Sequence, residues 1–369
     1  MAQALSRQVE IATVGLLPAV IWGRLEPKDN SLGLEHELLL WYRKPELWHY
    51  WRSWQKLRRF YLEKTQREGM PDVLLVRNLQ PGYNYFVKWL RRQHPRPVIV
   101  LVLADSGLGQ PVSFFRRFRY LFKPMQTLEY KAVLWFDACM GFGIETRRYF
   151  KSRGVPWLWM PSAFNFTYDP PTDQVQGGPI RFGYFGGLTE QSAVLPMIRA
   201  FLEAGLPGTL HVCGYGGLTD TLKKLAGQHP NFHFDGLLPN QSDCLAWAQK
   251  VDVLVNPRLP LSGWDNSFPS KIFEFAMTGK AILSTRTGGV DEVLRYEGLY
   301  LETENFEDAL RQKLRAVAVM ERAELQRRGT AIRNRVLKDF NWDAQARRVV
   351  DFLTGIVNAK AADSRSQSR

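Results

Sequence analysis

Asn266-Ser267-Phe268-Pro269-Ser270-Lys271-Ile272-Phe273-Glu274-Phe275-Ala276-Met277-Thr278-Gly279-Lys280-Ala281-Ile282-Leu283-Ser284-Thr285-Arg286-Thr287-Gly288-Gly289-Val290-Asp291-Glu292 decides how this chain folds. It reads as a loop, a helix, a turn, a strand and a second loop that opens another helix. Pro269 and Ser270 suit a first helical turn, where proline loses no hydrogen bond and a hydroxyl can cap. Ile272, Phe273, Ala276 and Met277 share one apolar face at helical spacing. Gly279 stops the helix, and Ala281 to Ser284 is a short buried strand. In a doubly wound α/β sheet, the loops at the carboxyl ends of the strands, with the helix N-termini beside them, form the ligand crevice. The N–H groups of Ser270 and Lys271, with the lysine ammonium, would there face an anion. A lone Lys or Glu in a helix is most often a solvated face. The argument therefore rests on order and spacing over the whole stretch.

A chain of 369 residues has room for two α/β domains, and its 45% hydrophobic content with 12 Trp can fill their cores without staples. Cys139, Cys213 and Cys244 are odd in number and widely spaced, which argues against a disulfide framework or a zinc site and for a reducing compartment. The sequence has no run of eighteen apolar residues and its first residues have no signal-peptide core, so the expectation is a cytoplasmic protein, soluble or peripheral on a membrane. The net charge of +13 is lopsided: residues 1–165 hold 25 Lys and Arg against 13 Asp and Glu, and the remainder 24 against 23. That first half is suited to an anionic partner, whether membrane, nucleic acid or acidic acceptor.

Strands are expected in the first half at 9–15 (ending in a turn at Gly15), 36–41, 72–78, 97–104, 132–136 and 155–160, with a long aromatic-basic helix over 46–68. The segment 166–178, with two prolines, two aspartates and a Gly-Gly pair, is a linker candidate. Beyond it, Ile180 to Phe185 is a strand running into Gly186-Gly187, and Thr209 to Cys213 a strand ending at Gly214. His233-Phe234-Asp235-Gly236-Leu237-Leu238 and Asp252 to Asn256 continue the alternation. Helices are expected over 304–318, 320–337 and 343–356, with a disordered tail at 359–369.

In this order and spacing the stretch resembles the nucleotide-sugar site of retaining GT-B glycosyltransferases, notably family 4 (glycosyl transferases group 1). The resemblance covers about 180–300 in motif and the first half mainly in strand rhythm. It implies two Rossmann-like α/β domains facing each other across a cleft: 1–165 on the acceptor side, a linker at 166–179, and 180–342 for the donor. A C-terminal helix would cross back to the first domain. It further implies donor contacts at Gly15, Gly186, Gly187, Gly214, Leu237, Leu238, Asn266, Ser267, Phe268, Ser270, Lys271, Glu274, Gly288 and Gly289. Glu274 would take the ribose hydroxyls and Lys271 the diphosphate, with Asp105 the third residue placed in catalysis. No Asp-x-Asp pair occurs, so no metal and no cofactor besides the nucleoside-diphosphate sugar is expected. Three positions depart from the pattern: Asn266 stands for the first of two glutamates, Ala104-Asp105 for a histidine, and Thr189-Glu190-Gln191 brings no basic residue.

Three functions follow as alternatives: sugar transfer to a glycan, lipid-linked or small-molecule acceptor; a degenerate relative that binds nucleotide or glycan without turnover; and a nucleic-acid-binding α/β protein. No nucleic-acid module signature supports the last. Phe114 to Lys123 places Phe114, Phe115, Phe118, Leu121 and Phe122 on one helical face and Arg116, Arg119 and Lys123 opposite, with Arg117 on the flank. That pattern fits an anionic membrane surface, and equally a surface helix packed on its own domain.

Overall fold

The computed structural model describes residues 8, 13–18, 36–42, 47–77, 81–103, 133–141, 143–161, 164, 168–170, 177–259 and 268–367. The chain divides into two compact units, Met1–Met160 with Trp342–Arg369, and Pro161–Asn341.

The first unit holds strands β1 (Thr13–Pro18) and β2 (His36–Tyr42) as a two-stranded parallel sheet of their own. Its four-stranded parallel sheet runs in the order β3 (Val73–Arg77), β4 (Val98–Leu103), β5 (Ala138–Gly141), β6 (Trp157–Trp159). Strand β4, all aliphatic and all buried, supplies both cores by simple alternation. Ile99, Leu101 and Leu103 join Leu57 of helix α1 (Leu47–Glu68) and Phe86, Val87 and Leu90 of α2 (Pro81–Leu90). Val98, Val100 and Val102 join Ala138, Met140, Ala346 and Val349 on the other face.

Two expectations are corrected in this unit. The fifth strand is not at 132–136, where Val133–Trp135 is a 3-10 turn, but at Ala138–Gly141. Asp137 sets that start: its N–H donates to Ile99 O at 2.8 Å, and its carboxylate accepts from Arg96 at 2.6 and 2.8 Å and from Ile99 N at 2.8 Å. Both stretches are apolar, so hydrophobicity alone could not choose between them. Gly15 is not a turn at a strand end either; it lies inside β1 opposite Leu38, with a register shift between Gly15 and Leu16.

The remaining helices are α3 (Ile144–Lys151), α4 (Val194–Ala204), α5 (Thr219–Gln228), α6 (Gln241–Trp247), α7 (Lys271–Met277), α8 (Val290–Leu294), α9 (Phe306–Ala318), α10 (Arg322–Asp339) and α11 (Trp342–Gln367). Helix α11 follows the second unit in sequence but belongs to the first, where Arg348 donates to Trp159 O at 3.1 Å and Lys360 to Pro97 O at 2.9 Å. It runs on to Gln367, through most of the tail expected to be disordered.

The second unit is one six-stranded parallel sheet, ordered β12 (Leu299–Leu301), β11 (Ala281–Thr285), β10 (Val253–Asn256), β7 (Phe182–Phe185), β8 (Leu210–Cys213), β9 (Phe232–Phe234). The chain builds outward from β7 to β9, then returns to lay β10 on the other side of β7. Strand order reverses between β7 and β10, and in open α/β sheets ligands bind outside the carboxyl ends of strands at such a point. The described residues of the linker segment are fastened to this unit: Arg333 donates to Tyr168 O at 2.7 Å, and Arg322 to Gly178 O at 2.7 Å and Pro179 O at 2.8 Å.

Candidate active site

Gly186-Gly187 leaves the carboxyl end of β7, and α7 is the helix that follows β10, so both lie at the reversal. In α7 the residues Ile272, Phe273, Phe275, Ala276 and Met277 are buried. Only Lys271 and Glu274 in that helix keep partial exposure, and they stand three residues apart on one face. From that face Lys271 reaches Tyr184 of β7 and Glu274 reaches Gln241 of α6.

The Lys271 side chain lies across the glycine turn. Its ammonium donates to Tyr184 Oη at 2.5 Å and sits 4.4 Å from the centre of the Tyr184 ring. A side chain at Gly186, whose φ is +138°, would meet Lys271 Nζ at 2.8 Å. The second glycine turn packs onto the first backbone to backbone: Gly186 N donates to Cys213 O at 3.1 Å and Leu188 N to Tyr215 O at 3.0 Å, while Gly214 N donates to Gly236 O of the turn after β9 at 2.7 Å. A Cβ on Gly214 would lie 1.9 Å from Gly186 O.

Glu274 Oε1 accepts from Gln241 Nε2, the first residue of α6, at 3.2 Å. Burial pushes its carboxyl above the ordinary range, while the Gln241 hydrogen bond and the Lys271 charge hold the rise back. Gln241 closes a short path from the turn after β9, where Leu237 is 68% exposed and Leu238 half-buried. Gly288 and Gly289, at φ of +69° and +86°, turn the chain after β11 into α8. That turn stands at the same sheet edge, because Asn256 of β10 is level with Ser284 of β11.

The structure therefore brings Gly186, Gly187, Gly214 and Lys271 together, adds Glu274 beside them, and lines Leu237, Leu238, Gly288 and Gly289 along the same edge. Ser270 is exposed at the start of α7 but its hydroxyl makes no capping hydrogen bond. Phe268 is 8% exposed and packs its ring, tilted by 36°, against Phe273 at 5.2 Å, so it offers a ligand little surface. Gly15 sits in the other unit, within β1. Asp105, Asn266, Ser267 and the segment 114–123 lie outside the described residues. The sequence reading missed Tyr184 and Gln241. Tyr184 passed as one more apolar strand residue, although a phenol two positions before a glycine turn needs a buried partner for its hydroxyl. Gln241 stood in a polar helix start that gave no signal of its own.

Among the described residues no group of three or more His, Cys, Asp or Glu could hold a metal ion, and no helix is long and apolar enough to cross a membrane. Of the aromatic residues in α1, Trp54 and Tyr61 turn inward, 6.4 Å from Trp89 and 5.7 Å from Phe86. Arg58 caps the group 5.1 Å from the Trp89 ring.

Residues 179–318 match the family described as Glycosyl transferases group 1. The fold is GT-B, and the chain is a glycosyltransferase. It is similar to a glycosyltransferase from Rickettsia africae at 12% identity and a TM-score of 0.63, over 94% of this chain and 98% of that one. Sucrose-phosphate synthase from Thermosynechococcus elongatus aligns at 15% identity and a TM-score of 0.58, over 88% and 84% of the two chains. A lipopolysaccharide outer core galactosyltransferase aligns at 13% identity and a TM-score of 0.61, over 88% and 85%. No curated protein sequence matches the chain significantly.

Proposed function

We propose that this glycosyltransferase moves a sugar from a nucleoside-diphosphate sugar to an acceptor hydroxyl, with retention of anomeric configuration and without a metal ion, as a family 4 enzyme would. The observation that carries the reading is the Lys271 ammonium held over the Gly186-Gly187 turn at the point where strand order reverses. Glycines let a diphosphate approach the backbone, and a fixed cation there stabilises charge as it develops on the leaving group. The missing basic residue after Gly187 concentrates that duty on Lys271. Glu274, half-buried one turn on, is assigned the ribose hydroxyls as a hydrogen-bond acceptor. Leu237 and Leu238 are assigned to the base, Gly288-Gly289 to the far rim, and Asn266 to the sugar. Ser267, Phe268 and Ser270 complete the donor loop, and Gly15 and Asp105 are the contributions assigned to the first unit. No Asp-x-Asp pair is present to hold a metal on the diphosphate, which supports the metal-independent reading.

The acceptor hydroxyl belongs to a glycan, a lipid-linked acceptor or a small molecule. Structures similar in fold include a sucrose-phosphate synthase and a lipopolysaccharide outer core galactosyltransferase. A cytoplasmic location with peripheral attachment to anionic membrane through 114–123 rests on sequence pattern alone. In the aromatic-basic helix α1 of the same half, Trp54 and Tyr61 pack inward and so are not offered to a membrane. Sedimentation with anionic but not neutral liposomes, abolished by Arg116→Glu with Arg117→Glu, would support it; equal binding to both, or to neither, leaves that segment as core packing.

The donor assignment is tested by thermal shift against a panel of nucleotide-sugars. One member should raise the melting temperature progressively above its dissociation constant. Asn266→Glu should then change which member does so. Binding with no turnover of any member would favour the degenerate reading over the enzyme.

A further inference from the structure

We infer that Tyr184 is a positioning residue for the donor diphosphate: its buried phenol sets where the Lys271 ammonium stands, and so decides how well the crevice holds a diphosphate. The inference rests on the reading of Lys271 as the diphosphate cation. Three observations carry it. Tyr184 is fully buried in β7, and its ring meets Phe275 of α7 edge-on at 6.5 Å, so it has no freedom to follow a moving partner. Its hydroxyl donates to Gly187 O at 2.9 Å, which commits its proton to the turn and directs a lone pair at Lys271. The ammonium then donates to Tyr184 Oη at 2.5 Å while lying over the same ring.

The arrangement ties three things into one unit: the cation, the turn it serves and the strand that carries the turn. An ammonium has three donors, and among the described residues Lys271 gives one of them, to Tyr184. The others are open to an anion lying on Gly186-Gly187. A lysine on a flexible four-carbon stem has many places to put its charge, and a fixed position avoids the ordering cost at the moment of binding. A Cβ at Gly186 would reach to 2.8 Å of the same Nζ, so the turn itself closes the remaining side. Tyr184 Oη makes two polar contacts, to Gly187 O and Lys271 Nζ, that a phenylalanine of nearly the same volume would lack.

Tyr184→Phe keeps that volume and removes the anchor. The probes are UDP, GDP, ADP and TDP, and for the tightest of them its nucleoside, measured by competition on native protein, Tyr184→Phe, Lys271→Ala and the double variant, with melting curves for all. Losing a hydrogen bond to a charged group corresponds to a weakening of about tenfold or more. Tyr184→Phe should therefore weaken the diphosphate about tenfold and leave the nucleoside within about twofold, and Lys271→Ala should weaken the diphosphate at least as much. The double variant should be no weaker than Lys271→Ala, because the two residues act as one. A merely structural role would lower both ligands together, or lower the melting temperature with the affinity ratio unchanged, and either result overturns the inference. If Lys271→Ala weakens the diphosphate and Tyr184→Phe does not, the inference fails and the donor site stands. If Lys271→Ala leaves the diphosphate untouched, the reading of Lys271 fails and the inference with it. Gly186→Ala, which pushes on the same ammonium, should reproduce the selective loss.

Discussion

Gly214→Ala is the sharpest structural perturbation of the crevice. The residue has a φ of +147°, and an added Cβ would lie 1.9 Å from Gly186 O and 3.1 Å from Gly186 C. Both are backbone atoms, so no rotamer change can relieve the contact. Holding a side chain in that backbone region costs about 1–3 kcal/mol, and forcing an extra carbon into a packed site about 1–3 kcal/mol more. Together that is roughly 2–6 kcal/mol, or about 4–24 °C in melting temperature for a unit of this size. The strain can be released only by separating the two glycine turns, which would lose the Gly186 N to Cys213 O bond of 3.1 Å and the Leu188 N to Tyr215 O bond of 3.0 Å and shift Gly186-Gly187 away from Lys271. Nucleotide affinity should fall with stability. Gly217→Ala is the control: it stands three residues on, and nothing lies within 4 Å of its added Cβ. Thermal and urea melts of both variants, with nucleotide titrations, give the answer. A Gly214→Ala protein that melts like the Gly217→Ala protein and binds nucleotide equally would refute the contact between the two turns.

Glu274→Gln should lower nucleotide affinity and yet stabilise the unit at neutral pH. Burial raises the Glu274 carboxyl in the folded state above its ordinary 4.5, so its ionisation destabilises the fold as pH rises through that window. The gain should shrink to nothing well below pH 4.5, as urea melts at several pH values would show. Asp137→Asn should do the opposite in the first unit. Burial alone would raise the Asp137 carboxyl, but hydrogen bonds from Arg96 and Ile99 and the charges of Arg96 and Lys360 outweigh it and bring it below 3.8. Its stabilisation is present above 3.8 and lost as pH falls through the folded value, so the variant should be destabilised by about 2 kcal/mol at pH 7 and not in strong acid. Cys139 and Cys213 are buried, with burial pushing both thiols well up, while Cys244 is only half-buried, its thiol raised by burial and the nearby Glu274 and Asp243 charges, so a thiol reagent at neutral pH should label the native protein slowly and at Cys244 alone. Mass spectrometry of labelled peptides, before and after denaturation, checks this.

The second unit was the more legible half of the sequence because its signals were local. The glycine after each strand, the charged pair inside an apolar helix and Gly279 as the helix stop all act within a few residues. Gly279 indeed closes α7 at a φ of +71°, and Ala281–Thr285 follows as a buried strand. The first unit depended on partners far apart in sequence. Arg96 and Ile99, some forty residues before Asp137, decide where β5 begins, and no window around 132–141 contains them. The tail was misread for the same reason: Ala359 to Gln367 is polar, but Lys360 finds the carbonyls of Arg96 and Pro97. At the site, the sequence pointed to Lys271 by its place at a helix start and to Glu274 by the family resemblance. It could not show Tyr184 or Gln241, whose importance lies in touching those two across 87 and 33 residues of chain.

The most direct measurement is release of nucleoside diphosphate from UDP-, GDP-, ADP- and TDP-hexoses by the purified protein, with and without an acceptor panel that includes glycans and lipid-linked sugars. At least one donor should be turned over, and Glu274→Ala and Lys271→Ala should each abolish most of that turnover while the protein still melts cooperatively. Release from none of the donors, or full activity in the double variant, would contradict the assignment of this crevice as the donor site.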